Sequence, residues 1–385
     1  MRVDKTKWKK APLSEITHII MGQSPDSSSY NKKAIGLPFY QGNADFGKIH
    51  PIPRIYCNAP IRIAKENTLL ISVRAPIGAI NITNELCCIG RGLAAIQMID
   101  EKSHLHFIKY VLKAANNELN SKGTGMTFKA INKNVLFNHI VFLPEFDIQQ
   151  TIASELDAIQ TMIDGYKAQL EDLDALAQSI FLDMFGNVAI NDKCWEITPM
   201  GQLGDFKNGL NYSKGEKGKV LKIIGVGDIQ NIKKLSSFED IPTIEVKYIP
   251  QEYLLNNEDI VFVRSNGNKN LVGRCLEVYP NDTEVTFSGF CIRFRKSVKI
   301  LNKYLIALLT DIGFKKTHIL KSNGIGIQNI NQKLLGNIPV PVPPLALQQQ
   351  FAHRIETIER QKELIRFQLK DAETLMAERM QYYFS

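Results

Sequence analysis

The sequence predicts an α+β protein in which two similar globular α/β domains are separated by two long helices that form an antiparallel coiled coil. Three observations predict this fold class. An internal repeat is spaced by roughly half of the 385 residues, two segments carry apolar residues with a period of 3.5, and two basic blocks alternate with segments that lack net positive charge.

Both copies of the repeat open and close with matching residues. The opening matches, 187 positions apart, are Trp8 with Trp195, Pro12 with Pro199, and Gly22 with Gly209. The closing segments, residues 125–146 and 324–345, match at a shift of 199. Because the shift grows between the two ends, we expect insertions in the middle of the blocks, where loops vary.

Inside the blocks, short apolar strands alternate with turns rich in Gly, Asn and Asp. Each copy has an apolar strand that ends in Val-Arg, at residues 69–74 and 260–264, and we expect the two dipeptides to be equivalent. A glycine begins a second apolar strand in each copy, at residues 92–96 and 289–292. Helical stretches such as residues 107–115 are short, which indicates an α+β arrangement in each block.

Each copy finishes in a helix whose apolar positions are spaced by four and three residues. This 3.5-residue period is typical of a coiled-coil seam, since a helix that packs on a globular core shows a broader stripe with a period of 3.6. Lys362 interrupts the second seam, and Leu364 offers an alternative contact. The predicted seam residues are Ile152, Leu156, Ile159, Ile163, Tyr166, Leu170, Leu173, Ala177, Ile180 and Met184 in the first helix, and Phe351, Ile355, Ile358, Ile365, Leu369 and Met376 in the second.

The predicted boundaries follow the charge distribution. The first domain, residues 1–146, has a net charge of +9, and the second, residues 187–344, has +6. The first helix, residues 147–186, has −7, and the second, residues 345–385, has no net charge. We therefore expect a polyanionic partner to contact the domains and not the helices.

Two blocks that each start near a tryptophan and end in a Pro-x-x-x-x-Gln helix start resemble the S subunit of type I restriction-modification systems. Residues 140–150 and 338–349 carry the resemblance, which covers essentially the whole chain. The second segment matches the usual helix start of the family closely. The family often has Glu just before the Gln, whereas Ile148 and Leu347 stand there in this chain.

The resemblance implies a non-catalytic cytoplasmic protein that binds double-stranded DNA through two target recognition domains, each reading one half of a bipartite site. It also implies that the helices set the gap and hold two methyltransferase subunits, which bind S-adenosylmethionine. Motor-nuclease subunits that use ATP and magnesium would join for cleavage. We expect no cofactor or metal on this chain, and no contact with a membrane, since no apolar run approaches the roughly 20 residues that span a bilayer.

Loops rich in Arg, Lys, Asn and Gln are the candidate DNA contacts, because Arg pairs with guanine, Asn or Gln with adenine, and Lys with phosphate. For each loop the alternative is an ordinary polar turn, and for Arg74 and Arg264 it is an ion-paired structural role. The candidates are Gln41, Asn43, Arg74, Lys122, Thr124 and Lys129 in the first copy, and Arg264, Asn266, Asn268, Lys269, Asn270, Lys321, Asn323 and Gln328 in the second.

Two other functions are alternatives. A metal-dependent nuclease could use Asp240 with Glu245 and Lys247, although this spacing is very short. A coiled-coil scaffold could instead bind proteins through its basic blocks. His104 and His106 are the only close histidine pair in the sequence, and no cysteine or second cluster beside them completes a metal site.

Overall fold

The computed structural model describes residues 4–124, 129–212, 217–229, 232–268, 270–320 and 329–385. Its contacts divide the chain into unit 1, which comprises Met1–Lys167 and Phe367–Ser385, and unit 2, which comprises Ala168–Arg366. Each unit therefore contains one globular region and part of both long helices. The finer division at residues 146, 186 and 344 stays a prediction.

Unit 1 combines short strands with helices that cover one face of a sheet. Its strands are β1 (Lys9–Pro12), β2 (Thr17–Met21), β3 (Tyr30–Asn31), β4 (Leu37–Tyr40), β5 (Tyr56–Cys57), β6 (Ile63–Ala64), β7 (Leu69–Ser72), β8 (Ile80–Ile82), β9 (Cys87–Ile89), β10 (Leu93–Met98) and β11 (Ile140–Leu143). Its helices are α1 (Leu13–Ile16), α2 (Leu105–Ala114), α3 (Asn116–Ser121), α4 (Lys133–Phe137) and the first part of α5 (Phe146–Phe185). One sheet has the strand order β2-β10-β7-β8, another has β3-β5-β4-β9-β6, and β1 pairs with β11. Buried residues of α2, such as Phe107 and Leu112, form a core with Ile71 of β7 and Ile96 of β10.

Unit 2 repeats this plan. Its strands are β12 (Glu196–Pro199), β13 (Gly204–Asn208), β14 (Lys219–Ile224), β15 (Lys234–Leu235), β16 (Thr243–Val246), β17 (Asp259–Val263), β18 (Cys275–Val278), β19 (Val285–Phe287), β20 (Cys291–Lys296) and β21 (Pro339–Val342). Its helices are α6 (Met200–Leu203), α7 (Asn302–Thr310), α8 (Ile312–Phe314), α9 (Gln332–Gly336) and the first part of α10 (Leu345–Phe384), together with the end of α5. The sheets have the orders β13-β20-β17-β18-β15 and β16-β14-β19, and β12 pairs with β21. Tyr304 and Leu308 of α7 form a core with Phe262 and Ile292.

Strand pairing shows which residues of the two units are equivalent. Ala94 of β10 is paired with Met21, and Ile292 of β20 is paired with Asn208. Met21 and Asn208 directly precede the matching glycines at the start of the repeat. Ala94 and Ile292 therefore occupy the same position.

The expected equivalence of the two Val-Arg dipeptides is wrong by one residue. On the other edge of the central strand, Ile71 and Phe262 pair with the equivalent residues of β10 and β20. Arg74 consequently corresponds to Ser265, and Arg264 takes the place of a buried valine. Pairing between strands sets the register, and a similar dipeptide does not reveal it.

The long helices α5 and α10 each contain 40 residues, or about 60 Å at 1.5 Å per residue. All predicted seam residues are buried or half-buried, while most positions between them are exposed. The suggested contact at Leu364 is wrong, since this side chain is 67% exposed. Lys362 remains in the seam, 5% exposed, and its ammonium group is 2.9 Å from Asp174 and 3.0 Å from Glu359.

Within each unit the two helices pair in opposite directions. In unit 1, Glu155 forms an ion pair with Arg379, and further along α5 Lys167 pairs with Glu373, earlier on α10. Ile163 packs there in a buried cluster with Ala372. In unit 2 the order is likewise reversed, because Asp174 contacts Lys362 and residue 181 of α5 packs on residue 351 of α10.

A buried glutamine explains the Pro-x-x-x-x-Gln pattern before each helix. Gln149 donates to the carbonyl groups of Pro144 and Lys102 and accepts from the backbone N–H of His104, all within 3.0 Å. Gln348 donates to the Pro343 carbonyl in the same way. It accepts from the N–H of residue 301. The glutamine thus joins the start of the long helix to the start of α2 or α7.

Among the described residues, no helix is both long and apolar enough to cross a membrane.

Candidate nucleic-acid interface

Backbone hydrogen bonds gather the candidate loops of unit 1 at one edge of its sheets. The carbonyl of Tyr40 accepts from Gly90, and the carbonyl of Gly92 accepts from Val73. A Cβ atom on Gly92 would lie 2.2 Å from the carbonyl oxygen of Gln41, so glycine is required for the loop after β4 to lie there. The loops after β4 and β7 therefore meet at the turn before β10.

The loop that carries Gln41 and Asn43 is fixed by a buried carboxylate. Asp45 accepts from the backbone N–H of Gln41 at 2.7 Å and forms an ion pair with Arg54. Asp228 of unit 2 accepts from Gly225 at 2.8 Å in the corresponding loop after β14. Gln41 is exposed and Asn43 is half-buried.

The loop between α3 and α4 is joined to the Arg74 loop. Ala75 donates to the carbonyl of Lys129 at 3.0 Å, and Thr124 and Ala130 exchange two backbone hydrogen bonds. Residues 125–128 lie outside the described residues. Lys122, Thr124 and Lys129 are exposed, and Lys122 is paired with Glu118.

Two unit 1 arginines and one lysine present unpaired charge at this edge. Arg74, Arg91 and Lys129 are exposed, and none of them forms an ion pair with another described residue. The alternative role of Arg74 as an ion-paired structural residue therefore has no support in the described part of the chain. Arg91, between Gly90 and Gly92, was missed, although the Gly-Arg-Gly sequence could have indicated an exposed turn.

Unit 2 gathers its loops in the same way. Gly209 donates to the carbonyl of Cys291, and Arg264 donates to the carbonyl of Phe290. The carbonyl of Arg264 accepts from Ile330, which joins this loop to the segment before α9. The Arg264 guanidinium is half-buried and donates to the Gly289 carbonyl at 3.4 Å, so it braces the cluster.

The asparagines of the unit 2 loop differ in whether their side-chain amides are already hydrogen-bonded within the protein. The side-chain oxygen of Asn266 accepts from the backbone of Asn268 at 2.7 Å, and that of Asn268 accepts from Asn270 at 3.1 Å. Asn270 is exposed, and its carboxamide has no hydrogen bond to another described residue. Because reading adenine requires both the oxygen and the nitrogen of an amide, Asn270 is the best placed of the three. The candidates Lys269, Lys321, Asn323 and Gln328 lie outside the described residues.

Sequence reasoning missed an exposed aromatic side chain in this cluster. Phe290 is 63% exposed and takes the place that buried Gly92 has in unit 1. The sequence predicts Phe290 as part of the apolar strand that begins at residue 289. Its exposure follows from its position one residue before β20, where the chain is still in the turn.

The fold does not support the alternative nuclease site or a metal site at the histidine pair. Asp240, Glu245 and Lys247 are exposed, and no group of three or more His, Cys, Asp or Glu in the described ranges could hold a metal ion. His106 instead contacts Asp157 of α5. Burial raises the pKa of the Cys291 thiol, which lies under the unit 2 loops, to about 12, so it stays protonated at neutral pH.

Two equivalent loop clusters at sheet edges, one with exposed cations and the other with an exposed carboxamide, are typical of a nucleic-acid-binding protein built by internal repetition. The family model for the type I restriction modification DNA specificity domain matches residues 5–174 and again residues 192–373. The chain belongs to this family, as the resemblance in its sequence indicated.

Relatives match either half of the chain or nearly all of it. A putative type I restriction enzyme MjaX specificity subunit from Methanocaldococcus jannaschii is 43% identical over 162 residues, which cover 42% of this chain and 38% of that protein. The type I restriction enzyme StySPI specificity subunit from Salmonella potsdam is 24% identical over 408 aligned residues, which cover 95% of this chain and 85% of that protein.

A solved structure has the same fold over the whole chain. The S subunit of a type I restriction-modification system from M. genitalium aligns with a TM-score of 0.62 and 15% identity, covering 100% of this chain and 98% of that one. At this identity the likeness concerns the fold alone.

Proposed function

We propose that this chain is the non-catalytic DNA specificity subunit of a cytoplasmic type I restriction-modification complex, and that each unit reads one half of a bipartite site. The observation that carries the proposal is the repetition of one loop cluster on two equivalent sheets, each within a copy of the family domain. S-adenosylmethionine, ATP and magnesium belong to partner subunits in this proposal: two methyltransferase subunits and, for cleavage, the motor-nuclease subunits.

The two clusters would read DNA with different side chains. In unit 1, Arg74, Arg91 and Lys129 are free to contact phosphates or guanine edges. In unit 2, Asn270 offers a free amide for adenine, and Phe290 offers an apolar surface for the methyl group of thymine. The two half-sites would therefore differ in sequence.

The helices would set the gap between half-sites and dock the methyltransferase subunits. Support comes from their lengths of 40 residues and from their antiparallel pairing within each unit. Adding one heptad at residue 167 and another at residue 366 preserves the seam period and lengthens each helix by about 10 Å, or about three base pairs of DNA. The recognised motif should keep both halves and gain a longer gap.

Mapping of methylated bases in cells with and without the gene tests the proposal directly. A two-part motif with a fixed gap should lose its methylation when the gene is deleted. Arg74→Ala should relax one half only, and Asn270→Ala the other, each by about 1–3 kcal/mol of base discrimination. Lys65→Ala is the control and should leave both halves unchanged, because Lys65 is exposed and precedes β7, whereas Arg74 follows it. An unchanged methylation pattern after deletion would refute the assignment.

Salt dependence separates DNA reading from the protein scaffold alternative. Binding of the assembled complex to its DNA should weaken steeply as salt rises, because cations on the loops displace counterions from phosphates. Lys129→Ala should reduce the slope of log K against log salt by about one if Lys129 contacts a phosphate. Binding that ignored salt would favour the scaffold.

A further inference from the structure

Strand β9 of unit 1 ends beside two segments that are not among the candidate loops. The backbone N–H of Ile89, its last residue, donates to the carbonyl of Arg62 at 2.9 Å, and its carbonyl accepts from the N–H of Gln23 at 3.1 Å. Because the N–H and the carbonyl of one strand residue point toward the same neighbour, Gln23 and Arg62 lie on the same side of β9. One residue therefore brings two distant segments together.

Arg91 joins this pair through the turn that follows β9. Its backbone N–H donates to the side-chain oxygen of Ser24 at 3.3 Å, which ties the turn to the residue after Gln23. Gly90 and Gly92 flank Arg91 in the sequence, so no neighbouring side chain in the turn covers its guanidinium group. The arginine therefore stands in an exposed turn at the same edge as the other two residues.

The side chains of Gln23, Arg62 and Arg91 are exposed, and none of them forms a hydrogen bond or an ion pair with another described residue. A side chain that stabilises the fold makes contacts within it, and these three make none of that kind. Two guanidinium groups and one carboxamide are thus free to bind a ligand. We refer to these three residues as the edge triplet.

Unit 2 makes the same backbone contact with an apolar residue. Leu210 corresponds to Gln23, since each follows the matching glycine of the repeat. Its N–H donates to the carbonyl of Phe287 at 2.8 Å, as that of Gln23 does to Ile89. Leu210 is half-buried and packs on the buried residues of β14 and β16. The fold therefore requires the backbone contact and does not require a polar side chain at this position.

The edge triplet lies on the other side of β10 from the Arg74 loop. Strand β10 pairs with β2 along one edge and with β7 along the other. Gln23 follows β2, whereas Arg74 follows β7. Because neighbouring strands are about 4.8 Å apart, the ends of β2 and β7 are separated by about 10 Å, or about three base pairs of DNA. A half-site that Arg74 contacts would extend as far as Gln23.

The residue types of the edge triplet suit DNA. A glutamine carboxamide both donates to and accepts from adenine, and an arginine donates two hydrogen bonds to guanine. Arg91 stands in the exposed turn and is placed for a base edge. Arg62 directly precedes β6, the outermost strand of its sheet, where a phosphate of the DNA backbone is the expected partner.

We propose that Gln23, Arg62 and Arg91 form a second DNA-contact site of unit 1, in which the glutamine reads an adenine, Arg91 reads a guanine and Arg62 holds a phosphate. The inference rests on the proposed function. It adds to the unit 1 half-site base pairs that Arg74 and Lys129 do not contact.

The test measures methylation by the assembled complex on DNA in which each base pair of the recognised motif is varied in turn. Gln23→Ala should lower the preference for adenine at one position of the unit 1 half by about tenfold, and Arg91→Ala should do the same for guanine at another. Both positions should differ from the one that Arg74→Ala relaxes. Rates relative to the unvaried motif cancel any general loss of binding. Unchanged preferences in both variants would overturn the proposal.

Two controls accompany these variants. Asn58 is an exposed carboxamide that follows β5, at the end opposite to the loop after β4, and Asn58→Ala should keep every base preference. The half-site read by unit 2 is an internal control and should stay unchanged in Gln23→Ala. A loss of preference in both halves together would show that Gln23 acts through assembly of the complex, and it would overturn the proposal.

The phosphate contact is tested through salt. Arg62→Ala should keep every base preference and lower the slope of log K against log salt by about one. Lys65→Ala removes the same charge at the other end of β6 and should leave the slope unchanged, because Lys65 is exposed and follows that strand. Equal slopes in the Arg62 and Lys65 variants would contradict the assigned contact.

Deletion of the gene separates a failure of this inference from a failure of the proposed function. Methylation of the two-part motif that survived deletion would remove the proposed function and this inference with it. Methylation that is lost on deletion, while the Gln23, Arg62 and Arg91 variants behave like the wild type, would leave the proposed function standing and overturn the edge triplet alone.

Discussion

Unit 1 and unit 2 hold the start of a long helix with the same buried glutamine, yet they fill the space beside that helix differently. Gln149 and Gln348 each bond to a proline carbonyl five residues earlier and to the N–H that begins a short helix. One turn and a half along that short helix, unit 1 has buried Tyr110 and unit 2 has Ala307 beside a groove.

The difference shows which positions the fold itself demands. A buried backbone N–H or carbonyl must be paired, so the side chain that pairs it is the same in both units. A side chain whose contacts are with other side chains, as those of Tyr110 are, can be exchanged together with its partners. The seam shows the same freedom, because Ile163 of α5 corresponds to Lys362 of α10.

The largest effect on the free energy of unfolding is expected from replacing Tyr110 by Ala, the residue type that unit 2 has at this position. Tyr110→Ala should lower the free energy of unfolding of unit 1 by about 4 kcal/mol, because it removes a buried ring and its bond to Asp157. Ala307→Tyr should change that of unit 2 by less than about 1 kcal/mol, because the groove has room for the ring.

The two tryptophans allow each unit to be followed separately during urea unfolding. Trp8 lies in the unit 1 core, and Trp195 of unit 2 donates to the Phe185 carbonyl at 2.9 Å. Fluorescence in a Trp195→Phe background reports on unit 1, and fluorescence in a Trp8→Phe background reports on unit 2. Equal losses from the two exchanges would mean that the groove is not free space.

The shared glutamines should give the next largest effect, and a similar one in both units. Gln149→Ala and Gln348→Ala each leave a half-buried N–H and a buried proline carbonyl without this partner, which costs about 3 kcal/mol. Gln149 makes one hydrogen bond more, to Lys102, so its loss should be somewhat the larger. The same single-tryptophan unfolding measurements check the order. A negligible loss of stability at either position would show that the glutamine is not needed to hold the start of the long helix in that unit.

Local periodicity explains why so much of the fold could be predicted from the sequence. The 3.5-residue spacing that begins at Ile152 and the paired repeat ends depend on neighbours along the chain, and both long helices lie where this spacing indicated. The resemblance also indicated the family correctly.

Contacts between distant segments explain the rest. Arg74 and Arg264 both follow a valine at the end of an apolar strand. Only the pairing of these strands with β10 and β20 shows that the two arginines occupy positions one residue apart in the repeat. The exposure of Phe290 depends on where β20 begins, which its apolar sequence does not reveal. The candidate DNA contacts stay predictions, because a loop residue meets a base only through geometry that no single segment encodes.

A smaller effect is expected in the seam. Lys362→Ile, which restores the residue type found at Ile163, should change the stability of unit 2 by less than about 1 kcal/mol, since a buried ion pair gains little over an apolar contact. Asp174→Ala should cost about 1 kcal/mol, because Asp174 is exposed and Lys362 keeps Glu359. Urea midpoints read through Trp195 measure both changes, and a loss of several kcal/mol in Lys362→Ile would show that the lysine fixes the pairing of the helices.

The smallest expected difference between the units is in how their stability changes as the pH falls. Burial lowers the pKa of His104, and the neighbouring His106 lowers it further against the opposite effect of Asp157. Burial also lowers the pKa of His139, although the carboxylate of Glu118 acts the other way. The unfolded chain then binds more protons than unit 1 does as the pH falls below the ordinary histidine value of about 6.5.

Unit 1 should therefore lose stability from about pH 6.5 downwards, and the loss should stop growing once the pH is below the lowered histidine pKa values. A further loss follows below about pH 4, because hydrogen bonds hold the pKa of Asp157 down although burial alone would raise it. Unit 2 has Leu301 and Ile338 at the two histidine positions, so it lacks the first loss. Thermal unfolding between pH 7.5 and 5, followed through Trp8 and Trp195 separately, should show a fall in unit 1 only. His104→Leu with His139→Ile should remove that fall, and its persistence in the double variant would place the acid sensitivity elsewhere in unit 1.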